Sequence, residues 1–257
     1  MAKSSHGERI KSVQRSWEII RLLQQQPMGV TQIADKVGIS PGSVYKHLAT
    51  LSSLDLVYKN DSGDYSLGYK MLKISNGIRN NSLIFRVAKP ELDKLARQYG
   101  FCVHLLVEHN CWGVYVYNHM NELAPNHSIL GKREPLHVSA GGKSLLAFMN
   151  HERRIKIYEE VGLPQWTENT TTDVSKLEKE LEEVRKEGVA FNDEETFKGH
   201  RAVASPVQNS DGKPICAISV SESVGEFNDE RFRTTIPEIV QKVVKYVELN
   251  YQLKSSD

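Results

Sequence analysis

The chain has 257 residues, of which 39% are hydrophobic and 25% charged, a composition typical of folded globular proteins and unlike that of disordered chains. No apolar run approaches the ~18 residues that a membrane span needs, and the first residues lack the apolar core of a signal peptide, so we expect a cytoplasmic protein with no membrane partner. The three cysteines, Cys102, Cys111 and Cys216, are an odd number and argue against a disulfide framework.

The charge is distributed unevenly along the chain. Residues 1–80 carry 11 Lys and Arg against 6 Asp and Glu, whereas residues 81–257 carry 22 against 26. A basic front segment suggests a polyanionic partner, although an excess of this size does not by itself establish one.

Three helices are predicted in the first 53 residues. The first, over 12–26, is indicated by the helical spacing of Val13, Trp17, Ile20 and Leu23. Thr31 is predicted to cap a second helix that stops at Gly38. Ser40 is predicted to cap a third helix over 41–53, with Pro41 in its first turn. The short connection between the second and third helices has the spacing of a helix-turn-helix.

A β-hairpin is predicted after the third helix. The strand-like runs 56–59 and 64–67 flank the turn-rich residues 60–63, so the hairpin would form a wing beside the helices. On the third helix, the face opposite its apolar residues is small at its start and then polar and basic, which suits the major groove of DNA. The predicted DNA contacts, by groove reading or phosphate binding, are Arg15, Thr31, Gln32, Ser40, Gly42, Ser43, Tyr45, Lys46, His47 and Lys59, with Lys36 adding salt-dependent attraction. The alternative is a protein-docking module whose polar face is simply solvated.

The rest of the chain predicts a mixed α+β domain reached through a linker helix. Residues 68–82 form the linker, and a helix over 83–99 containing Pro90 is closed by Gly100. Period-two alternation predicts an antiparallel strand pair at 101–108 and 112–117, with further strands at 202–207 and 214–221. The remaining helices are predicted at 141–150, 152–161, 174–187 and 229–252.

Several segments together resemble the IclR family of transcription regulators. The matching segments are Ser12–Ser16, Thr31–Leu51, Tyr65–Gly68, Pro135–Ala147, Val184–Gly188, Asp193–Glu195 and Gly199–Pro206. The resemblance covers nearly the whole chain. It implies a winged helix-turn-helix domain at 1–67, a linker helix at 68–82 and a GAF-like effector-binding domain with an antiparallel sheet at 83–257.

We therefore expect a DNA-binding regulator and not an enzyme. One small reading head makes few base contacts, so a homodimer or homotetramer on a palindromic double-stranded operator is expected. A small-molecule effector would act by binding two arrangements of the reading heads with different affinity. The alternative is a small-molecule sensor whose front domain docks a protein.

The segment Ser139–Lys143 is the predicted effector site. Its small residues open a helix whose first N–H groups carry partial positive charge, as a carboxylate or phosphate site requires. The alternative is that small residues only permit close packing. The resemblance implies a small organic acid held by Ala140, Gly141, Ser219 and Ser221.

Two effector positions depart from the family pattern. Where the family has an acidic residue, this chain has Asn192, and where the family has a cysteine, it has Ala202. Ligands that bind through that acidic residue are therefore not expected here. His200, beside the same strand, is a candidate for a different polar contact, with a structural role as the alternative.

Three other site types are excluded by spacing, and no cofactor, metal or catalytic residue is expected. A phosphate-binding P-loop that ends with Gly142, Lys143 and Ser144 would need a glycine five residues before Gly142, where this chain has His137. Cys102, His104, His109 and Cys111 would lie at opposite ends of a hairpin, too far apart for one zinc ion. A serine hydrolase would need a Gly-x-Ser-x-Gly elbow around its nucleophile, which the sequence around Ser139 lacks.

Overall fold

The computed structural model describes residues 10–120 and 129–255. The chain divides into two compact units, the first ending at Ile78 and the second beginning at Arg79. Each unit has a hydrophobic core of its own. Among the described helices, none combines the length and the apolar character needed to cross a membrane.

The first unit contains three helices and a two-stranded hairpin. The elements are α1 (Lys11–Leu23), α2 (Val30–Val37), α3 (Pro41–Ser53), β1 (Val57–Lys59) and β2 (Tyr65–Leu67), followed by α4 (Lys70–Asn80), which lies within the predicted linker. The two strands pair antiparallel, with Tyr58 opposite Ser66. This is the predicted helix-turn-helix with its wing.

Local capping explains where α3 begins. The Ser40 hydroxyl accepts a hydrogen bond from the Ser43 N–H at 3.3 Å, and Pro41 occupies the first helical position, which needs no N–H donor. Gly38 has φ 73°, the left-handed conformation that ends α2. The predicted limits of α3 are therefore confirmed.

The predicted start of α2 is wrong. The helix begins at Val30, so Thr31 lies inside its first turn and does not cap it. The cap is instead supplied from within the helix, because the Gly29 N–H donates to Gln32 Oε1 at 3.0 Å.

The predicted apolar face of α1 is only partly buried. Ile19 and Leu23 are in the core, whereas Val13 and Trp17 are 63% and 60% exposed. Helical periodicity shows that apolar residues share one side of a helix, but it does not show which of them are buried in the core. The buried and the exposed apolar residues of α1 therefore could not be told apart from the sequence.

The second unit is a six-stranded sheet with helices on both faces. Its elements are α5 (Leu83–Tyr99), β3 (Cys102–His109), β4 (Trp112–His119), β5 (Arg133–Pro135), α6 (Ala140–Phe148), α7 (His151–Val161), α8 (Val174–Glu187), β6 (Ala190–Asp193), β7 (His200–Gln208), β8 (Pro214–Ser223), α9 (Asp229–Arg233) and α10 (Thr235–Ser255). The strand order is β5-β4-β3-β8-β7-β6, and every neighbouring pair is antiparallel. The α+β class is confirmed.

Two predictions for this unit fail for identifiable reasons. The short strands β5 and β6 were not predicted, because three or four residues at a sheet edge carry little periodic signal. The single helix expected over 229–252 is two helices that part at Thr234. Pro237 has no N–H to donate to the carbonyl of Arg233, so one continuous helix would lose a hydrogen bond there.

The two faces of the sheet have different partners. Val103, Val203 and Val220 belong to a core shared with α5 and α10. The opposite face, which includes Leu106 and Ala217, packs against α6. Alternation along the strands therefore decides which side chains can face the start of α6.

Candidate nucleic-acid interface and small-molecule site

The exposed face of α3 is a continuous stripe along one side of the helix. Gly42, Tyr45, Lys46 and Ala49 are exposed at helical spacing, and Tyr45 is 61% exposed. Val44, Leu48 and Leu51 hold the opposite side of α3 in the core. The stripe is therefore presented rigidly, with the capped helix start at one end; sequence reasoning did not include Ala49, although its spacing places it on this stripe.

Some predicted contacts are engaged within the protein. Ser40 and Ser43 form the α3 cap, and the Gln32 side chain holds the α2 cap. His47 is hydrogen-bonded through Nδ1 to the Ser16 hydroxyl at 2.9 Å, which ties α3 to α1. These residues position the helices, and their contacts with DNA would have to use their remaining groups.

The other predicted contacts are exposed. Thr31 lies on the outer side of α2, Arg15 on α1 and Lys59 at the end of β1. Within residues 10–120 and 129–255, the ion pairs include none of the cations Arg15, Lys36, Lys46 and Lys59. Their charge is therefore available to a polyanion.

In the second unit, a cross-strand register collects the predicted effector residues on one sheet face. Ala202 lies opposite both Asn192 and Ser221. Ser219 lies two residues from Ser221 on the same face, opposite His104. A Cβ placed on Gly141 would lie 3.8 Å from the Cβ of Ala217, which is two residues further along that face. The structure thus brings the start of α6 and the two serines to one side of the sheet.

The start of α6 leaves amide groups outside the helical hydrogen-bond ladder. The Ser139 hydroxyl accepts from the Gly142 N–H at 3.1 Å, and the Ser139 carbonyl accepts from the Lys143 N–H at 2.9 Å. The amides of Ala140 and Gly141 precede these two and lie at the positive end of the helix dipole. They are the groups that an anion would meet first.

Gly142 is required by a close backbone approach. A Cβ at this position would lie 2.0 Å from the carbonyl oxygen of Leu136, in the turn that precedes the helix. Gly141 is packed as well, because a Cβ there would lie 3.2 Å from Leu106 Cδ2. Both glycines therefore serve packing, and it is the backbone amides of Ala140 and Gly141 that a ligand would use.

The Asn192 amide is engaged by the protein on both of its ends. Nδ2 donates to the Val138 carbonyl at 3.1 Å and to the Thr196 hydroxyl at 2.7 Å, and Oδ1 accepts from the Glu195 N–H at 2.9 Å. Only a second lone pair on Oδ1 is left for a ligand. Asn192 thus braces the segment in front of α6 against the end of β6.

Two polar residues that sequence reasoning did not assign to the effector site, His104 and Asn118, are hydrogen-bonded in a row with Ser221. His104 is buried, and its ring nitrogens bond Asn118 Oδ1 at 2.8 Å and the Ser221 hydroxyl at 3.0 Å. Burial lowers the pKa of His104 to about 4, so the imidazole is neutral near pH 7. The alternation Cys102, His104, Leu106 in the sequence was the available signal, but the pairing of β3 with β8 was not predictable.

The Lys143 side chain lies in an ionic cluster with Glu180 and Glu195. Its ammonium is fully buried and lies 2.6 and 2.8 Å from the two carboxylate oxygens of Glu195, with Glu180 as a further partner. Burial raises the pKa of Glu195, and the Lys143 charge opposes that rise. Lys143 therefore joins α6 to α8 and to the segment after β6.

Aromatic side chains and one cation meet at the ends of the two edge strands. The Lys132 ammonium lies 5.6 Å from the ring centroid of Trp166 and 6.0 Å from that of Phe197, whose ring is also in contact with His200. His200 is on the same strand face as Ala202, two residues away. In the part of the chain that the structure describes, no group of His, Cys, Asp and Glu has the arrangement of a metal site.

Two family models match the chain. The model described as "Bacterial transcriptional regulator IclR C-terminal" matches residues 79–248. Residues 16–59, which contain the helix-turn-helix, match the model described as "Bacterial regulatory protein, arsR family". The two matches fall in the two compact units of the structure.

Known regulators are similar over most of the chain. The Escherichia coli HTH-type transcriptional regulator XynR is 30% identical over 224 residues, which are 86% of this chain and 89% of XynR. The E. coli regulator KdgR is 29% identical over 87% of this chain and 86% of its own. The crystal structure of Thermotoga maritima IclR superposes with a TM-score of 0.83 at 26% identity, covering 95% of this chain and 99% of that one.

A further solved structure has the same fold with a ligand present. It is an IclR homologue from Microbacterium hydrocarbonoxydans complexed with 4-hydroxybenzoate, with a TM-score of 0.81 at 16% identity over 93% of this chain and 98% of its own.

Proposed function

Because the chain belongs to the IclR family of transcription regulators, which are not enzymes, we propose that it binds a double-stranded operator through α3 and that a small carboxylic acid in its C-terminal domain controls this binding. The observation that carries the proposal is that one chain has both the exposed α3 stripe and, at the buried start of α6, amides outside the helical hydrogen-bond ladder. The first suits a major groove, and the second suits an anion.

The DNA-binding half rests on the shape and charge of the α3 stripe. Gly42 lets the backbone approach closely, Tyr45 and Lys46 project from the next turn, and the unpaired cations Arg15 and Lys59 add attraction to phosphates. Exposed polar and basic groups on a rigidly packed helix are what major-groove readout requires.

The effector half rests on the amides of Ala140 and Gly141 and on the serines that share their sheet face. The 4-hydroxybenzoate complex of a protein with this fold supports a carboxylate ligand. Asn192 and Ala202 supply no charged acceptor and no thiol, so the helix dipole and neutral groups would hold the acid.

We place the DNA-binding domain at 1–67, the linker helix at 68–82 and the effector domain at 83–257. A homodimer or homotetramer on a palindromic operator fits the exposed apolar residues Val13 and Trp17 of α1 and Leu72 and Ile78 of α4, which a second copy could cover. The linker would carry the change from effector to reading head.

The DNA-binding half is tested with the full chain and an operator selected from random duplexes. Replacing Tyr45 and Lys46 together by alanine should weaken operator binding at least tenfold in a gel-shift assay, and Lys46→Ala alone should reduce the salt slope by about one. The matched control replaces Lys245 and Tyr246, an adjacent exposed pair on α10, and should leave binding unchanged. Selection of no duplex, or binding that ignores salt, would instead favour a protein partner for the first unit.

The effector half is tested with Gly141→Asp, which adds a negative charge beside the proposed anion position. Its Cβ would lie 3.2 Å from Leu106 Cδ2, so Gly141→Asn, of the same size without the charge, is the matched control. The Gly141→Asp variant should lose the response of operator binding to carboxylic acids while its operator affinity without ligand stays normal. A variant that folds, as judged by its thermal melt, and still responds would refute the anion site.

A further inference from the structure

Asn118, His104 and Ser221 are joined by hydrogen bonds, and the direction in which each proton is donated indicates which ligand group, besides the carboxylate, the site would accept. The three side chains lie on adjacent strands, since His104 is opposite Asn118 on β4, and Ser221 is near it on β8. Each bond has a short distance, 2.8 Å for Nδ1 to Asn118 Oδ1 and 3.0 Å for Nε2 to Ser221 Oγ. The direction of each proton can be worked out from the first partner.

The amide oxygen of Asn118 can only accept a hydrogen bond, so His104 Nδ1 must carry the proton. His104 is neutral, because burial lowers its pKa to about 4, and a neutral imidazole has one N–H only. Nε2 therefore holds a lone pair and accepts from the hydroxyl of Ser221. The single proton of Ser221 is consumed in this bond, which leaves the Ser221 oxygen as an acceptor.

Ser219, unlike Ser221, can donate a hydrogen bond to a ligand. It is 5% exposed, and among the described residues its hydroxyl has no hydrogen-bond partner. Its hydroxyl proton is free to be donated. The neighbouring residue on the same strand face, Ala217, lies 3.8 Å from a Cβ placed on Gly141 at the start of α6. A hydroxyl that can donate, on the sheet face that packs against the start of α6, suits a ligand carboxylate.

We infer that the site selects a hydroxy acid, whose carboxylate is held by the Ala140 and Gly141 amides and the Ser219 hydroxyl and whose own hydroxyl donates to Ser221. Two residues along a strand span about 7 Å, which a carboxylate and a nearby hydroxyl bridge with one hydrogen bond at each end. A keto acid offers Ser221 only a second acceptor, and an unsubstituted acid offers it nothing. The inference rests on the proposed function and makes His104 and Asn118 its specificity-determining residues.

The test is calorimetric titration of the full chain with matched acids of three sizes. The sets are lactate, pyruvate and propionate; 3-hydroxybutyrate, acetoacetate and butyrate; and mandelate, phenylglyoxylate and phenylacetate, with both enantiomers of each hydroxy acid. In the set that fits the site, the hydroxy acid should bind at least tenfold more tightly than its keto counterpart. The keto oxygen and the Ser221 oxygen are both acceptors, so neither would have a hydrogen-bond donor when the keto acid binds.

Variants then test whether His104 sets this preference. His104→Leu frees the Ser221 proton for the ligand, so the keto acid should bind as well as the hydroxy acid or better. Asn118→Leu tests the same point without removing the imidazole. Nδ1 then no longer has to carry the proton, so Nε2 can carry it and donate to Ser221, and the preference for the hydroxy acid should be lost. His109→Leu, which removes an exposed histidine of the same strand, should keep the preference.

The possible outcomes separate this inference from the proposed function. Equal or tighter binding of the keto acid by the unaltered protein overturns the inference and leaves the carboxylate site standing. A hydroxy-acid preference that survives both leucine variants also overturns it. Absence of binding by every acid overturns the inference and the effector half of the proposed function together, while the operator assay still decides the DNA-binding half.

Discussion

The buried ammonium of Lys143 gives a stability prediction that can be worked from the structure. Its side chain is fully buried, and the carboxylate of Glu195, 2.6 Å away, is 11% exposed. Replacing Lys143 by methionine keeps most of the side-chain volume but leaves Glu195 buried without its countercharge. Breaking a buried pair in this way costs about 3–5 kcal/mol of unfolding free energy.

The expected result is a large fall in the melting temperature of the second unit. For a domain of this size, about 3 kcal/mol corresponds to a fall of roughly 6–12 °C, which differential scanning calorimetry of the full chain resolves. Changing Glu195 to leucine in the same variant should recover most of the loss, because an apolar pair of similar volume has no uncompensated charge.

Lys186→Met is the matched control. Lys186 pairs with Glu183 on the exposed side of α8, with both side chains more than 60% exposed, so its removal should leave the melting temperature unchanged. Equal effects of the two lysine substitutions would refute the reasoning, as would failure of the Glu195 change to restore stability.

Two further predictions concern the residues around the site. Gly142→Ala puts a Cβ 2.0 Å from the Leu136 carbonyl oxygen and should cost about 2–3 kcal/mol in denaturant unfolding, whereas Gly77→Ala in α4, where a Cβ meets nothing within 4 Å, should be neutral or stabilising. Burial lowers the pKa of His104 from 6.5 to about 4. As the pH falls, the unfolded chain therefore takes up a proton at this residue at a higher pH than the folded chain does. The contribution of His104 to stability is complete above pH 6.5 and is lost towards pH 4. The difference corresponds to about 3 kcal/mol, and the stability of His104→Asn should fall less steeply than that of the unaltered chain over this range, when both are followed by urea unfolding.

The sequence was sufficient where a local signal determines the structure. The limits of α3, α5 and α8 agree with prediction, because Ser40, Ser82 and Asp173 cap their starts and Gly100 and Gly188 end two of them in the left-handed conformation. α5 also runs through Pro90 as one helix over the predicted span.

The candidate effector face could be predicted only in part, because it is assembled by long-range pairing. Ala140 and Gly141 are recognisable from a run of small residues at a helix start, whereas His104, Asn118 and Ser221 meet only through the order β4-β3-β8. Strand order and register depend on contacts between residues more than a hundred positions apart, which a single sequence does not show.

The contacts of Asn192 explain why a neutral amide at this position is compatible with an anion site. An aspartate could accept from the Glu195 N–H, but it could not donate to the Val138 carbonyl, and its charge would face that carbonyl across a buried contact. Asn192 and Lys143 both hold Glu195, one through its backbone N–H and the other through its carboxylate. The segment before α6, the helix itself and the end of β6 are therefore fixed by one network, which keeps the amides of Ala140 and Gly141 in place without a charged side chain at position 192. An acid bound there would meet a preorganised dipole and neutral donors, so its carboxylate would not be repelled by a charge at position 192.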